Sequence, residues 1–176
     1  MRIVLFQPDI PQNAGTLIRL AACLGVGCQI VEPCGFLLGD RRLRRAGLDY
    51  LERADIRRFV SWAAFLRDRP PGRLVLLTTR AEACYCDFAY DVGDALVVGR
   101  ETAGVPAEVH AAVDARVRVP MRPELRSLNV AVAAAMVLGE ALRQTGGFPS
   151  AGYGGPGSSG PGSGGPGSGG PGSGGG

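Results

Sequence analysis

Short, continuously apolar runs alternate with segments of helical periodicity as far as about residue 142, and no other feature restricts the possible folds as much. Residues 3–6 are apolar at every position and are followed by Pro8, so both faces of that strand must be covered. Similar runs are read as strands at 28–31, 56–60, 74–78, 96–98 and 117–119. Between them, residues 13–24 place Ala14, Leu17, Ile18, Ala21 and Ala22 at helical spacing and close on Gly25. Further helices are read at 41–46, at 62–67 behind the cap residue Ser61, at 106–113 and at 128–142. Such alternation predicts an α/β fold, a mostly parallel sheet flanked by helices on both faces.

The pattern ends near residue 145. Residues 146–176 hold 17 Gly, 6 Ser and 5 Pro, with only Phe148, Ala151 and Tyr153 besides. Such a stretch cannot bury enough apolar surface to offset its ordering entropy. The expected organisation is one folded domain, 1–145, followed by a disordered Gly/Pro/Ser-rich tail, 146–176. No apolar run reaches the ~18 residues of a membrane span. The opening run is too short for a signal peptide and meets Pro8 and Asp9 at once, so export is not expected and the chain is read as cytoplasmic.

The net charge is +3, from 19 basic and 16 acidic residues, and every basic residue is Arg. Each cation is therefore a planar fork suited to phosphate or carboxylate. Between Asp40 and Arg58 there are seven Arg against four acidic residues, which permits nucleic-acid binding without requiring it. The five Cys (23, 28, 34, 84 and 86) lack zinc-site spacing and have one His, His110, to help them. They are read as reduced, buried or half-buried thiols, with His110 on an exposed helix face and no metal site.

Three segments put Gly, Asn, Ser or charge at the ends of predicted strands, where open α/β sheets bind ligands. The first runs from Pro11 to Arg19. Asn13 there reads equally as a helix cap, and Arg19, in an apolar context, requires a partner or access to water. The second is Gly99-Arg100-Glu101-Thr102-Ala103-Gly104, a tight loop that is not a phosphate-binding fingerprint. In the third, Arg126-Ser127-Leu128-Asn129, Ser127 could serve as the helix cap while Asn129 projects from the first turn.

In this order, the Asn13…Arg19 pair, the Gly99-x-Glu101-x-x-Gly104 loop and the Ser127-Leu128-Asn129 turn resemble the SPOUT superfamily of RNA methyltransferases. Arg42-Leu43-Arg44-Arg45-Ala46-Gly47-Leu48-Asp49-Tyr50, Glu32-Pro33-x-Gly35-Phe36 and Glu140-Ala141-Leu142-Arg143-Gln144 are similar to its bacterial branch that 2′-O-methylates the tRNA wobble nucleotide, cytidine or uridine. The resemblance covers about residues 2–144. It implies a single SPOUT domain with a C-terminal deep trefoil knot, acting as a homodimer on the tRNA anticodon loop with S-adenosylmethionine. It implies cofactor contacts at Leu77, Thr78, Gly99, Glu101, Gly104, Val119, Met121, Ser127 and Leu128. By the same resemblance Arg19, Asn13, Glu101, Ser127 and Asn129 serve catalysis, with Asn13 orienting Arg19 or the ribose and Glu101 holding Arg19 or Asn129. Arg19, Arg41, Arg42, Arg44, Arg45 and Arg126 are the expected RNA contacts. The chain departs from the family where Val130, Ala131 and Val132 follow Asn129 and where Leu138-Gly139 replaces an aromatic. Two other readings stay open: methylation of another RNA such as rRNA, and a catalytically silent RNA-binding protein.

Overall fold

The computed structural model describes residues 1–37, 41–47, 50 and 54–149. Asp40, Asp49, Glu52, Arg53 and the expected tail from residue 150 onward lie outside the described residues. In chain order the elements are β1 (Arg2–Phe6), α1 (Pro11–Leu24), β2 (Gly27–Val31), α2 (Arg41–Gly47), β3 (Ile56–Phe59), α3 (Trp62–Asp68), β4 (Leu74–Leu77), β5 (Ala95–Val98), α4 (Ala107–Ala112), β6 (Ala115–Val117) and α5 (Val130–Thr145). The six strands form one sheet in the order β3-β2-β1-β5-β4-β6, and every ladder is parallel.

The alternation along β1 explains the layers. Ile3 and Leu5 pack with Leu17, Ile18, Val137 and Leu138 of α1 and α5, whereas Val4 and Phe6 pack with Trp62, Phe65 and Val109 of α3 and α4. Phe6 meets Trp62 edge-on at 5.6 Å, and Trp62 stacks on Phe65 at 4.9 Å. Leu43 is buried in the first layer and so fastens the basic helix α2 against it.

Element ends differ from the periodicity reading in physically legible ways. The first helix starts at Pro11 rather than Asn13, because proline presets the φ of a first helical position and needs no N–H partner there. The Ser61 side chain does cap α3, accepting the Ala64 N–H at 3.2 Å. The last helix starts at Val130, with Asn129 rather than Ser127 as its cap: Asn129 Oδ1 accepts the N–H groups of Ala131 and Val132 at 2.9 and 3.3 Å. The final strand ends at Val117, two residues before its expected end.

The thiols are also corrected. All five are free, but Cys23 and Cys86 are exposed, since Cys23 lies off the buried Ala14–Leu17–Ala21 face of α1. His110 is half-buried on α4 rather than fully exposed.

At the strands' N-terminal edge, Asp94 is 1% exposed and accepts two guanidinium bonds from Arg73, at 2.8 and 2.7 Å, and the Asp91 N–H at 2.9 Å. Asp94→Ala should lower the free energy of unfolding in urea by about 2–3 kcal/mol, because a charge-assisted buried cluster loses its acceptor. Arg73→Ala, which removes a half-exposed partner, should cost less.

Candidate functional site

Because β1 lies between β2 and β5, and the chain builds outward from it in opposite directions, the strand order reverses between β1 and β5. A crevice opens at the carboxyl ends of strands at such a point. Here Phe6 and Val98 deliver the turn 7–10 and the loop 99–104 side by side. Gln7 turns the chain at φ 46°, and Gly35 closes on the turn from the other side, donating its N–H to Pro8 O at 2.9 Å. A Cβ on Gly35 would stand 2.8 Å from the Asp9 Cα, so only glycine fits that approach.

The turn and the loop are joined reciprocally. The Glu101 N–H donates to Asp9 Oδ1 at 3.0 Å, and the Asp9 N–H donates to Glu101 Oε2 at 3.1 Å. The Thr102 N–H reaches Asp9 Oδ2 at 3.4 Å, and the Thr102 hydroxyl bonds the same oxygen. Burial pushes the Asp9 carboxyl up, but the bonds from Glu101 and Thr102 outweigh it and bring the group down to about 2. The Glu101 carboxyl moves the other way, raised first by burial and then by its hydrogen bond to Asp9. The two carboxyls therefore behave as a pair in which Glu101 keeps its proton longer than an ordinary glutamate.

The chain of bonds continues into both helices. The Asn13 side chain lies close enough to the Glu101 carboxyl to offset part of that rise, while Asn13 Oδ1 accepts Asn129 Nδ2 at 3.0 Å. With its Oδ1 engaged, Asn13 has its amide N–H groups left for the carboxyl of Glu101. Asn129 in turn caps α5. One connected path thus runs from the β1 turn through the β5 loop and α1 to α5.

Beside this path is a cleft of about 460 Å³. Leu77 and Thr78 line it from the end of β4, and Gly99, Glu101 and Gly104 from the loop after β5. Val119, Met121, Ser127 and Leu128 close it from the segment after β6, with Asn13 and Asn129 at its polar side. All nine expected cofactor contacts therefore lie on one cleft. Gly99 lets the loop close on itself, since a Cβ there would come within 2.8 Å of the Gly104 carbonyl carbon. Gly104, at φ +66°, has open space where a Cβ would be.

Arg19 is not brought to Glu101 or Asn13. It is exposed on α1, with its guanidinium 5.2 Å from the centre of the Tyr50 ring, and is not among the cleft-lining residues. Glu101 holds Asp9 instead and lies beside Asn13. Arg41, Arg42, Arg45 and Arg126 are exposed; the side chain of Arg44 lies outside the description. Among the described residues no group of three or more His, Cys, Asp or Glu could hold a metal ion, and no helix is long and apolar enough to cross a membrane. Sequence reasoning missed Asp9, whose only signal is an acid between Pro8 and Pro11 directly after a buried strand, and missed Arg100 and Thr79 on the cleft wall.

A parallel sheet with a cleft of this size at its carboxyl edge defines an open α/β fold with a small-molecule crevice at the reversal of its strand order. Residues 1–139 match the SpoU rRNA Methylase family, and the chain belongs to that family. Over 146 residues it is 58% identical to a tRNA (cytidine(34)-2'-O)-methyltransferase of Beijerinckia indica, covering 82% of this chain and 91% of that one. A solved structure described as giving insights into the 2-OH methylation of C/U34 on tRNA is 44% identical with a TM-score of 0.77, over 81% of this chain and 94% of the other. The SpoU methyltransferase AviRb of Streptomyces viridochromogenes, solved in complex with AdoMet, is 28% identical with a TM-score of 0.73, over 82% of this chain and 60% of that one.

Asn129→Ala should lower stability by about 1 kcal/mol in urea unfolding through loss of the cap, whereas Asn129→Asp should keep most of it.

Proposed function

We propose that this chain transfers a methyl group from S-adenosylmethionine to the ribose 2′-hydroxyl of the tRNA wobble nucleotide, cytidine or a modified uridine at position 34. What carries this reading is the 58% identity over 146 residues with a relative named for that reaction. The cleft agrees with it.

Its residues fit the cofactor. A volume of about 460 Å³ is within the usual range for small-molecule sites. Leu77, Val119, Met121 and Leu128 offer apolar walls for an adenine. The backbone around Gly99 and Gly104 admits close approach, and Thr78 and Ser127 supply hydroxyls. When bound, the cofactor supplies a methyl made electrophilic by its sulfonium. The protein's part is to hold the ribose oxygen in line and to accommodate the proton and charge released. Asn13 and Asn129, fixed by each other and by the α5 cap, present amide groups at the cleft that orient the ribose. Glu101 keeps Asn13 in place. Arg19, exposed on α1 outside the cleft lining, acts as a cation that positions the ribose or phosphate of the RNA, while the proton leaves through phosphate or water.

The anticodon loop is the partner. Leu43 seats α2 so that Arg41, Arg42 and Arg45 face outward next to α1, and Arg126 extends the cationic surface at the third motif. Arg44 belongs to the same proposed RNA contact. We further infer a homodimer, because Val132 and Met136, one turn apart on α5, are exposed apolar side chains. We also infer the C-terminal deep trefoil knot that membership of this family implies; Gln144 at the end of α5 bonds the Phe88 carbonyl at 3.1 Å and the Tyr90 N–H at 3.0 Å, fastening the helix to the 78–94 connection. Residues 1–145 are the catalytic domain, and the reaction is cytoplasmic.

Calorimetric titration with S-adenosylmethionine should give saturable heat; none at millimolar cofactor would contradict the assignment. Arg19→Ala should reduce tRNA methylation by ~100-fold through lost positioning of the RNA and leave cofactor affinity within a few-fold. A large loss of cofactor binding in that variant would move Arg19 from the RNA side to the cofactor side.

A further inference from the structure

Asp9 carries no role in the methyl-transfer scheme above, yet it makes more contacts to the 99–104 loop than a turn residue requires. Its two carboxylate oxygens take the N–H groups of Glu101 and Thr102 and the Thr102 hydroxyl, and its own N–H returns a bond to Glu101. The loop otherwise closes on itself, through reciprocal backbone bonds between Arg100 and Gly104 at 3.1 and 2.9 Å. Asp9 is itself held from behind, where Gly35 packs on its Cα and bonds Pro8 O. We propose that Asp9 is a positioning residue of the site: through its bonds to Glu101 and Thr102 it holds the 99–104 loop so that Glu101 meets Asn13 and the cleft is formed. This rests on the methyltransferase reading.

The groups facing the pair are few. From the β5 loop they are Glu101 and Thr102, from α1 the uncharged Asn13, and from the 32–36 segment the Gly35 backbone, with Glu32 there engaged by Arg58 at 2.5 Å. Among the described residues no arginine forms an ion pair with Asp9 or Glu101; Arg100, the neighbouring cation of the same loop, lies over the Phe6 ring at 5.9 Å. The sign of the pH dependence follows. Asp9, lowered, contributes stability that is lost only as pH falls through about 2. Glu101, raised, contributes stability that is complete below the ordinary glutamate range and is lost as pH rises through its folded value. The loop is held best between the two.

Two variants test the assignment. Asp9→Ala should weaken S-adenosylmethionine binding by ~10–100-fold, as expected for losing several charge-assisted bonds. Asp9→Asn keeps the shape but removes the negative charge. Carbon-13 NMR of the glutamate carboxyls, with Glu101 assigned through Glu101→Gln, should show Glu101 titrating above the other glutamates in the wild type and moving down toward them in Asp9→Asn. Wild-type cofactor affinity should rise as pH falls through the Glu101 titration, and this dependence should weaken in Asp9→Asn. Cofactor binding by Asp9→Ala within about twofold of wild type, or a Glu101 titration unchanged in Asp9→Asn, overturns the proposal. A wild type that has the high Glu101 titration and binds cofactor but methylates no RNA would instead overturn the methyltransferase reading and leave the carboxyl pair standing.

Discussion

The site depends on one polar path that joins residues far apart in the chain: Asp9 hydrogen-bonded to Glu101, Glu101 beside Asn13, Asn13 hydrogen-bonded to Asn129, and Asn129 to the first N–H groups of α5. Its members come from the end of β1, the loop after β5, the first turn of α1 and the cap of α5. Each is placed by an element whose own stability comes from apolar burial, and the polar path then registers those elements against one another. Partly buried carboxyls and amides are costly unless satisfied, so the path specifies a single arrangement of the loops and opposes looser ones.

The sheet makes that path possible. With all ladders parallel, every strand ends on the same edge, and the reversal between β1 and β5 sets two of those ends side by side. The opposite edge has the structural role, with Asp94 buried under Arg73. Function and stability are therefore separated along the strand axis. Changes at Asp94 belong to folding, and changes at Glu101, Asn13 or Asn129 fall mainly on the site.

Much of this was legible in the sequence because burial on both faces leaves a continuous apolar signature. Residues 3–6, 28–31, 74–77 and 95–98 contain little else, and each is a strand of the sheet. The Gly-x-Glu-x-x-Gly and Ser-Leu-Asn segments were legible too, as polar exceptions at strand and helix ends. Strand order was not, since a periodicity argument cannot say on which side of β1 the next strand is laid. Nor was the partner of Glu101. A lone acid between two prolines reads as an ordinary turn, and its bond to a loop 92 residues away exists only in the folded chain. Arg19 illustrates the same limit: its apolar context correctly required a partner or access to water, but the partner is the ring of Tyr50 beside the basic helix, not the carboxyl in the cleft.

In the proposed reaction the cleft, the amide pair and the outward-facing arginines would serve placement: a ribose oxygen held in line with a reactive methyl and an RNA loop held by phosphate-seeking forks. The account is tested most directly by mass spectrometry of anticodon nucleosides in tRNA from cells lacking the gene. It predicts that 2′-O-methylation of the wobble nucleotide disappears there and returns when the gene is restored. Wobble 2′-O-methylation unchanged in the deletion strain would contradict it.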